Sequence, residues 1–263
     1  MKTPTSHDAQ ANPNAPLVTS RDEGRVRILT LNRPEARNAL NAAIRLDLIA
    51  NLHEAEHDAG IGAIVITGEG TAFAAGADLK ELLARTSDQQ RDFLQPPHIY
   101  SVIEGLAKPV VAAVNGHALG AGLELATACD VRICANEAKL GQPEISLGLI
   151  PGGGGTQRLV RLVGSGQAAR LVFSGEAITA EEAYRIGLVE SLAPRADVVA
   201  KAIELAAAMA RQDAHSLAAA KRALRAAREL AYPEGLRAEI KEFLALHARD
   251  EAKARIRAFL EKR

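Results

Sequence analysis

Several features are scarce in this 263-residue chain, and each scarcity excludes something. It has only two cysteines, Cys129 and Cys134. Two thiols build no disulfide framework and are too few to close a zinc site, so they read as buried small hydrophobes in a reducing compartment. Net charge is also missing: 32 basic residues balance 32 acidic ones. No overall asymmetry draws the chain to nucleic acid or to an anionic membrane. No apolar run reaches the roughly 18 residues of a membrane span. The first twenty residues have no apolar core of a secretory signal and no arginine before Arg21. Their Pro, Asn, Ser and Thr content predicts a flexible tail over 1–20 and a cytoplasmic protein.

Metal and nucleophile signatures are absent as well. The seven histidines fall into no H-E-x-x-H or other metal spacing, and no serine sits in G-x-S-x-G. "PGGGGTQR" (151–158) has the glycines of a phosphate loop without its Gly-Lys-Ser/Thr ending. It reads either as a hinge or as a loop that lets backbone approach a ligand closely. "GSGQAA" (164–169) fits a dinucleotide fingerprint. The residues before it are spaced as a helix rather than a strand, so a turn between helices is the better reading.

What is present is an alternation. "RVRILTL" (25–31), "AIVITG" (63–68), "KPVVAAVNG" (108–116) and "VRICA" (131–135) read as strands. Helical spacing separates them, as in Ile44, Leu48 and Leu52. This is the pattern of an α/β protein. "EGTAFAAGADLKELL" (69–83) reads as a glycine-bearing loop entering a helix capped by Asp78. From about residue 191 the chain becomes alanine-rich and charge-laced with helical period, predicting a helical C-terminal region over 191–263 after a core over 21–190.

Two carboxylates stand out. Glu124 follows "GHALGAGL", and Glu144 sits in "KLGQPEISLGLIPGGGG" (139–155). Burying a carboxylate in apolar, glycine-rich surroundings is costly unless it is compensated. Each alone reads equally as a cap or a surface group. Two in one dry pocket could divide acid and base roles. "FAAGADL" and "ALGAGLE" each lead a loop into a helix start, where free N–H groups could form an oxyanion hole.

"FAAGADLKEL", "KPVVAAVNGHALGAGLELATACDVRICA", "LGQPEISLGLIPGGGGTQRL" and "AFLEKR", in that order, resemble the enoyl-CoA hydratase, or crotonase, family from about residue 25 to the C-terminus. The resemblance implies a spiral of β-β-α units followed by a helical trimerisation region, with homotrimers or homohexamers as the assembly. It implies an acyl-CoA substrate, coenzyme A being part of that substrate rather than a separate cofactor. The activity implied is addition of water across the 2,3 double bond of a 2-enoyl-CoA, giving a 3-hydroxyacyl-CoA. Glu124 would deprotonate the water, and Glu144 would hold it and protonate Cα. The oxyanion donors would be the N–H groups of Ala77 and Ala121, the latter at a position where glycine is commoner. Ala39 and Ala75 match positions at the adenine end of CoA, and Lys80 one near its phosphates. Phe259 and Lys262 match C-terminal positions that reach the nucleotide, in some members from a neighbouring subunit. Thr71 stands where another family lysine would be.

Other readings of these residues are a double-bond isomerase, a branched methylglutaconyl-CoA type of hydratase, and a non-catalytic RNA-binding or scaffold protein. The last would use the basic run "KRALRAAR" (221–228), whose ordinary reading is a solvated helix face.

Overall fold

The structure, a computed structural model, describes residues 15–261. The chain opens with strands β1 (Val18–Glu23) and β2 (Val26–Leu31), a 3-10 turn at Pro34–Ala36 and helix α1 (Ala42–His57). It then lays down pairs of strands, each pair followed by helix. β3 (Ala63–Gly68) and β4 (Ala72–Ala74) precede α2 (Leu79–Ala84), α3 (Ser87–Phe93) and α4 (Ile99–Gly105). β5 (Val110–Val114) and β6 (His117–Leu119) precede α5 (Ala121–Ala128). β7 (Val131–Ala135) and β8 (Lys139–Gly141) precede a 3-10 turn at Pro143–Leu147 and α6 (Gly155–Ser174). The remainder is β9 (Ile178–Thr179), α7 (Ala180–Arg185), β10 (Ser191–Ala193), α8 (Val198–Ala210), α9 (Ala214–Glu229), α10 (Tyr232–His247) and α11 (Asp250–Glu261).

The first strand of each pair enters a six-stranded sheet of order β1-β2-β3-β5-β7-β10, and the second enters a four-stranded sheet of order β4-β6-β8-β9. The chain thus advances one strand in both sheets per turn, which is the β-β-α spiral. All but one pairing in the large sheet is parallel, the exception being β1 on β2. Parallel strands are covered on both faces, so they read as unbroken apolar runs. "AIVITG" and "VVAAV" do so, and every residue of β3 and β5 is buried.

The expected boundaries shift at both ends. Residues 18–20, assigned to the tail by composition, open β1, with Val18 opposite Leu31. Only Val18 is buried in that strand. An edge strand of this kind is held by main-chain pairing, which side-chain composition does not report. Tail residues 1–14 lie outside the described residues. The helical region likewise begins later than residue 191, because β10 pairs with β7 in the large sheet. Its first helix, α8, belongs to the core, burying Val198, Ala202, Ala206 and Ala210 against that sheet. Beyond it, α9 buries only Ala219, and α10 and α11 bury nothing.

"GSGQAA" lies inside α6, where Gly164 (φ 77°, ψ 162°) kinks the helix. The glycines therefore serve a turn between helical segments. Cys129 and Cys134 are free and buried, and burial pushes both thiols up to about 12. Three of the four basic side chains in 221–228 are paired: Lys221 with Asp130, Arg222 with Glu242, Arg225 with Glu229. No described helix is long and apolar enough to cross a membrane.

Two close approaches fix α5 and the turn after β5 against β4. A Cβ on Gly122 would stand 2.0 Å from the Ala74 carbonyl oxygen, and one on Gly116 2.0 Å from that of Thr71. Glycine at both places lets β4 lie directly on the turn and helix that follow β5. Gly122→Ala must push α5 off β4 and should destabilise the fold by about 1–3 kcal/mol or more. Urea unfolding of the purified variant measures this, and an unchanged midpoint would contradict the close approach.

Candidate active site

A cavity of about 590 Å³ opens between the α1 start, the β4–α2 loop, the α5 start and the loop from Pro143 to Gly153. Glu124, Glu144, Ala77, Ala121, Ala39, Ala75 and Lys80 all line it. Seven residues spread over about a hundred positions of sequence therefore share one cavity. The other two expected residues do not join them. Phe259 is exposed on α11, which packs on α10. Lys262 lies outside the described residues.

Ala77 sits in a short parallel bridge with Leu40. Leu40 donates to the Gly76 carbonyl at 2.8 Å and accepts from Asp78 N–H at 3.3 Å. In a parallel bridge the residue between those partners turns its own N–H away, so the Ala77 N–H is left for the cavity. Asp78 caps α2, accepting from the N–H groups of Lys80 and Glu81 as expected. Its carboxyl is held below the usual range by Arg33, whose guanidinium lies 2.7 Å away. Ala121 is the first residue of α5, where an N–H has no partner within the helix. The positive φ of this turn falls on Gly120 (φ 50°) and not on Ala121. A methyl at 121 therefore costs no backbone strain. A Cβ at 120 would meet Glu144 Oε1 at 2.8 Å.

Glu124 is buried on the first turn of α5. Its compensation comes from the glycine loop: Gly153 N–H and Gly155 N–H both donate to Oε1, at 2.7 and 2.8 Å. Of the two roles open to "PGGGG", the close approach of backbone is the one observed, and its target is the protein's own carboxylate. A Cβ at 153 would come within 2.2 Å of the Tyr100 ring and 2.6 Å of Glu124 Oε2; one at 155 would meet the Gln142 amide at 2.7 Å. Oε2 keeps no protein donor among the described residues, so it is the oxygen available to a ligand.

Glu144 lies half-buried in the 3-10 turn after Pro143. Burial pushes its carboxyl up to about 7, and the negative charge of Glu124 adds to the rise. Opposing this, its own backbone N–H donates to the carboxyl; the fully buried Gln142 amide, turned to suit its neighbours, donates to both Glu144 oxygens at 3.0 Å. Two carboxyl groups on one cavity are thus held differently, one fixed by main-chain donors and one near neutrality.

Three contributors were not anticipated. Tyr100 is buried, with its phenol pushed up to about 12 by burial, and its ring packs beside Gly153. Gln142 precedes the 3-10 turn and reads as an ordinary loop residue. Arg45 lies one position beyond Ile44 on α1, where its charge suggests solvent, yet it is buried and lines the cavity. Among the described residues no group of three or more His, Cys, Asp or Glu side chains is placed to hold a metal ion.

A two-sheet β-β-α spiral, with two helix-start loops facing two carboxylates across one cavity, is the crotonase fold. The chain belongs to the enoyl-CoA hydratase/isomerase family, whose model matches residues 21–263. It is 46% identical to the 2,3-dehydroadipyl-CoA hydratase of Escherichia coli over 94% of this chain and 96% of that protein. It is 43% identical to a probable enoyl-CoA hydratase of Bacillus subtilis over 90% of this chain and 93% of the relative. The crystal structure of an enoyl-CoA hydratase from Bacillus anthracis superposes with a TM-score of 0.88 at 36% identity, covering 94% and 97% of the two chains.

The raised carboxyl of Glu144 has a consequence for stability. Because the folded form binds the proton more tightly than the unfolded chain, stability falls as pH rises from about 4.5 through about 7. Glu144→Gln removes that loss. It should raise the melting temperature more at pH 8 than at pH 5, as followed by thermal circular dichroism. An equal shift at both values would show that Glu144 is not held protonated by its surroundings.

Proposed function

We propose that the chain hydrates 2-enoyl-CoA thioesters to 3-hydroxyacyl-CoA. The observation that carries this reading is that Glu124, Glu144, Ala77 and Ala121 line the same cavity. The thioester oxygen accepts from the N–H groups of Ala77 and Ala121. Glu124 Oε2 takes a proton from a water molecule as its oxygen attacks C3, and the electron pair moves through C2 to the thioester oxygen. The enolate-like charge is bound more strongly than the neutral carbonyl, which is the condition for rate enhancement. Glu144 holds the same water and gives its proton to C2; the proton taken up by Glu124 returns to Glu144 through solvent, so both carboxyl groups are restored and the net change is addition of one water. Two differently held carboxylates support hydration over isomerisation, for which a single proton carrier suffices.

For coenzyme A, the backbone at Ala39 and Ala75 meets the adenine end and Lys80 the phosphates. No separate cofactor enters the reaction. Phe259 and Lys262 serve a neighbouring subunit's site, in keeping with a homotrimer or homohexamer. The apolar residues exposed on α10 and α11, among them Ile240, Phe243, Ile256 and Leu260, supply the assembly surface. The two free, buried thiols suit the reducing cytoplasm, and the internal pairing of the basic run on α9 speaks against nucleic acid as a partner. The Escherichia coli relative is named a 2,3-dehydroadipyl-CoA hydratase, a name that denotes a six-carbon dicarboxylic acyl group; the reaction class is carried over on the family, and the acyl class rests on this chain's own residues.

Purified protein should consume the conjugated absorbance of a short 2-enoyl-CoA and yield the 3-hydroxy product. Glu124→Gln and Glu144→Gln should each lower kcat by about 10²–10⁴, with unchanged circular dichroism. The wild-type rate should fall above about pH 7 as Glu144 loses the proton it donates. Full turnover by either variant would refute the paired-carboxylate mechanism. Phe243→Glu should convert the assembly to monomers in light scattering, and an unaltered mass would remove α10 from the interface.

A further inference from the structure

Three guanidinium groups line the cavity, and they differ in one respect. Arg33 pairs with Asp78 at 2.7 Å, and Arg85 with Glu81 at 2.6 Å. Arg45 has no carboxylate partner among the described residues, although it is the most buried of the three, at 8% exposure. Its polar contacts are neutral: Nε donates to the Leu40 carbonyl at 3.4 Å and Nη1 to the Tyr100 hydroxyl at 3.2 Å. The rings of Phe93 and Tyr100 lie 5.0 and 5.5 Å from its central carbon. Ring faces and a long carbonyl contact compensate a buried cation less well than an anion does. No N–H of Arg45 is sealed away without a partner, so its remaining donors open on the cavity it lines. A planar fork of donors held in that state is a receptor for a carboxylate.

Its place relative to the reaction is defined by Tyr100. The Tyr100 hydroxyl takes the Arg45 hydrogen bond and lies 3.5 Å from the carbonyl of Ala121. Leu40, which accepts from Arg45, bridges Ala77. The guanidinium is therefore a short acyl chain away from both expected oxyanion donors. The other two guanidiniums near it are already paired: Arg33, which donates to the adjacent Ala39 carbonyl, holds Asp78, and Arg85, over the same Phe93 ring, holds Glu81. Phe93 and Leu94 supply apolar wall.

We infer that Arg45 binds a carboxylate at the far end of a short acyl chain, so that the substrate class is a 2-enoyl-CoA whose acyl group is a dicarboxylic acid. This rests on the proposed hydration at the same site and adds a residue and a substrate class to it. The methylenes between the two ends lie along the apolar wall, and the distal carboxylate meets the Arg45 fork.

The test uses two six-carbon 2-enoyl-CoA esters that differ only in ending in a carboxylate or a methyl group. For the wild-type protein, kcat/KM should favour the carboxylate-ended ester by at least about tenfold, the scale of one charge-assisted pair. In Arg45→Met the ratio should fall to about one. A wild-type ratio near one overturns the inference, as does a variant that slows both esters in parallel, since that is what a purely structural arginine would do. If Arg45→Met does not fold, Arg45→Gln, which keeps donors for Leu40 and Tyr100, replaces it, and the same ratios support or overturn the inference. Calorimetric binding of the two saturated six-carbon CoA esters separates the inference from the reaction. Preferential binding of the carboxylate-ended ester that Arg45→Gln abolishes upholds the substrate class even if neither enoyl ester is hydrated, an outcome that would refute hydration alone. Equal binding overturns the inference whatever the kinetics show.

Discussion

The interaction on which this site depends is a pair of hydrogen bonds from main chain to carboxylate. Gly153 and Gly155 place their N–H groups on Oε1 of Glu124. A carboxylate that is buried and unpaired would cost several kcal/mol, so without this clamp the first turn of α5 could not carry a glutamate toward the core. The clamp also selects an oxygen. Because both donors converge on Oε1, Oε2 is left to act on a ligand, and its direction is set by backbone rather than by a rotatable side chain. Backbone donors can come this near only where there is no Cβ, since at 153 it would collide with Tyr100 and with Glu124 itself.

The same logic of missing side chains recurs across the site. Gly122 admits the Ala74 carbonyl, which locks α5 onto β4 and so fixes Ala121 relative to Ala77. Gly120 takes the positive φ that starts α5 and leaves room for Glu144. The placement of Ala77 and Ala121 on the cavity that Glu124 and Glu144 also line is thus a property of close backbone packing between the two sheets and α5. Polar side chains refine it afterwards: Asp78 ties the α2 start to Arg33, and Gln142 steadies Glu144.

Much of the spiral was legible in the residues because parallel, doubly covered strands leave continuous apolar runs, and "AIVITG" and "KPVVAAVNG" fall on β3 and β5. The short strands of the second sheet were not. β4, β6 and β8 are three residues each, shorter than any period can mark, and they hold their places by pairing with strands distant in sequence. Glu124 and Glu144 could be suspected from their apolar, glycine-rich neighbourhoods, and the family resemblance joined them before the cavity did. Arg45, Tyr100 and Gln142 escaped notice because each is chemically ordinary in its local stretch. Their roles come from burial that only the tertiary structure creates. The one available signal for Arg45 was its position beside Ile44 on the face of α1 that also buries Leu48 and Leu52.

The charges around the cavity also form a consistent arrangement. Arg33 is neutralised by Asp78, and Arg85, which lies over the same Phe93 ring as Arg45, by Glu81; the proposed reading leaves Lys80 for the phosphates. At the reacting centre, two carboxyl groups are kept apart in character, Glu124 held by backbone and Glu144 by an amide. Beyond that centre, Arg45 is the charge the protein does not balance for itself. A fold that elsewhere pairs its buried arginines, as Arg27 is paired with Asp22 and Arg132 with Glu190, leaves this one to aromatic faces and a hydroxyl. A substrate carboxylate arriving there would complete the pairing while bringing C2 and C3 under the two glutamates. Recognition at the far end and chemistry at the near end would then share a single alignment, set by Tyr100, which touches both Arg45 and the backbone of Ala121.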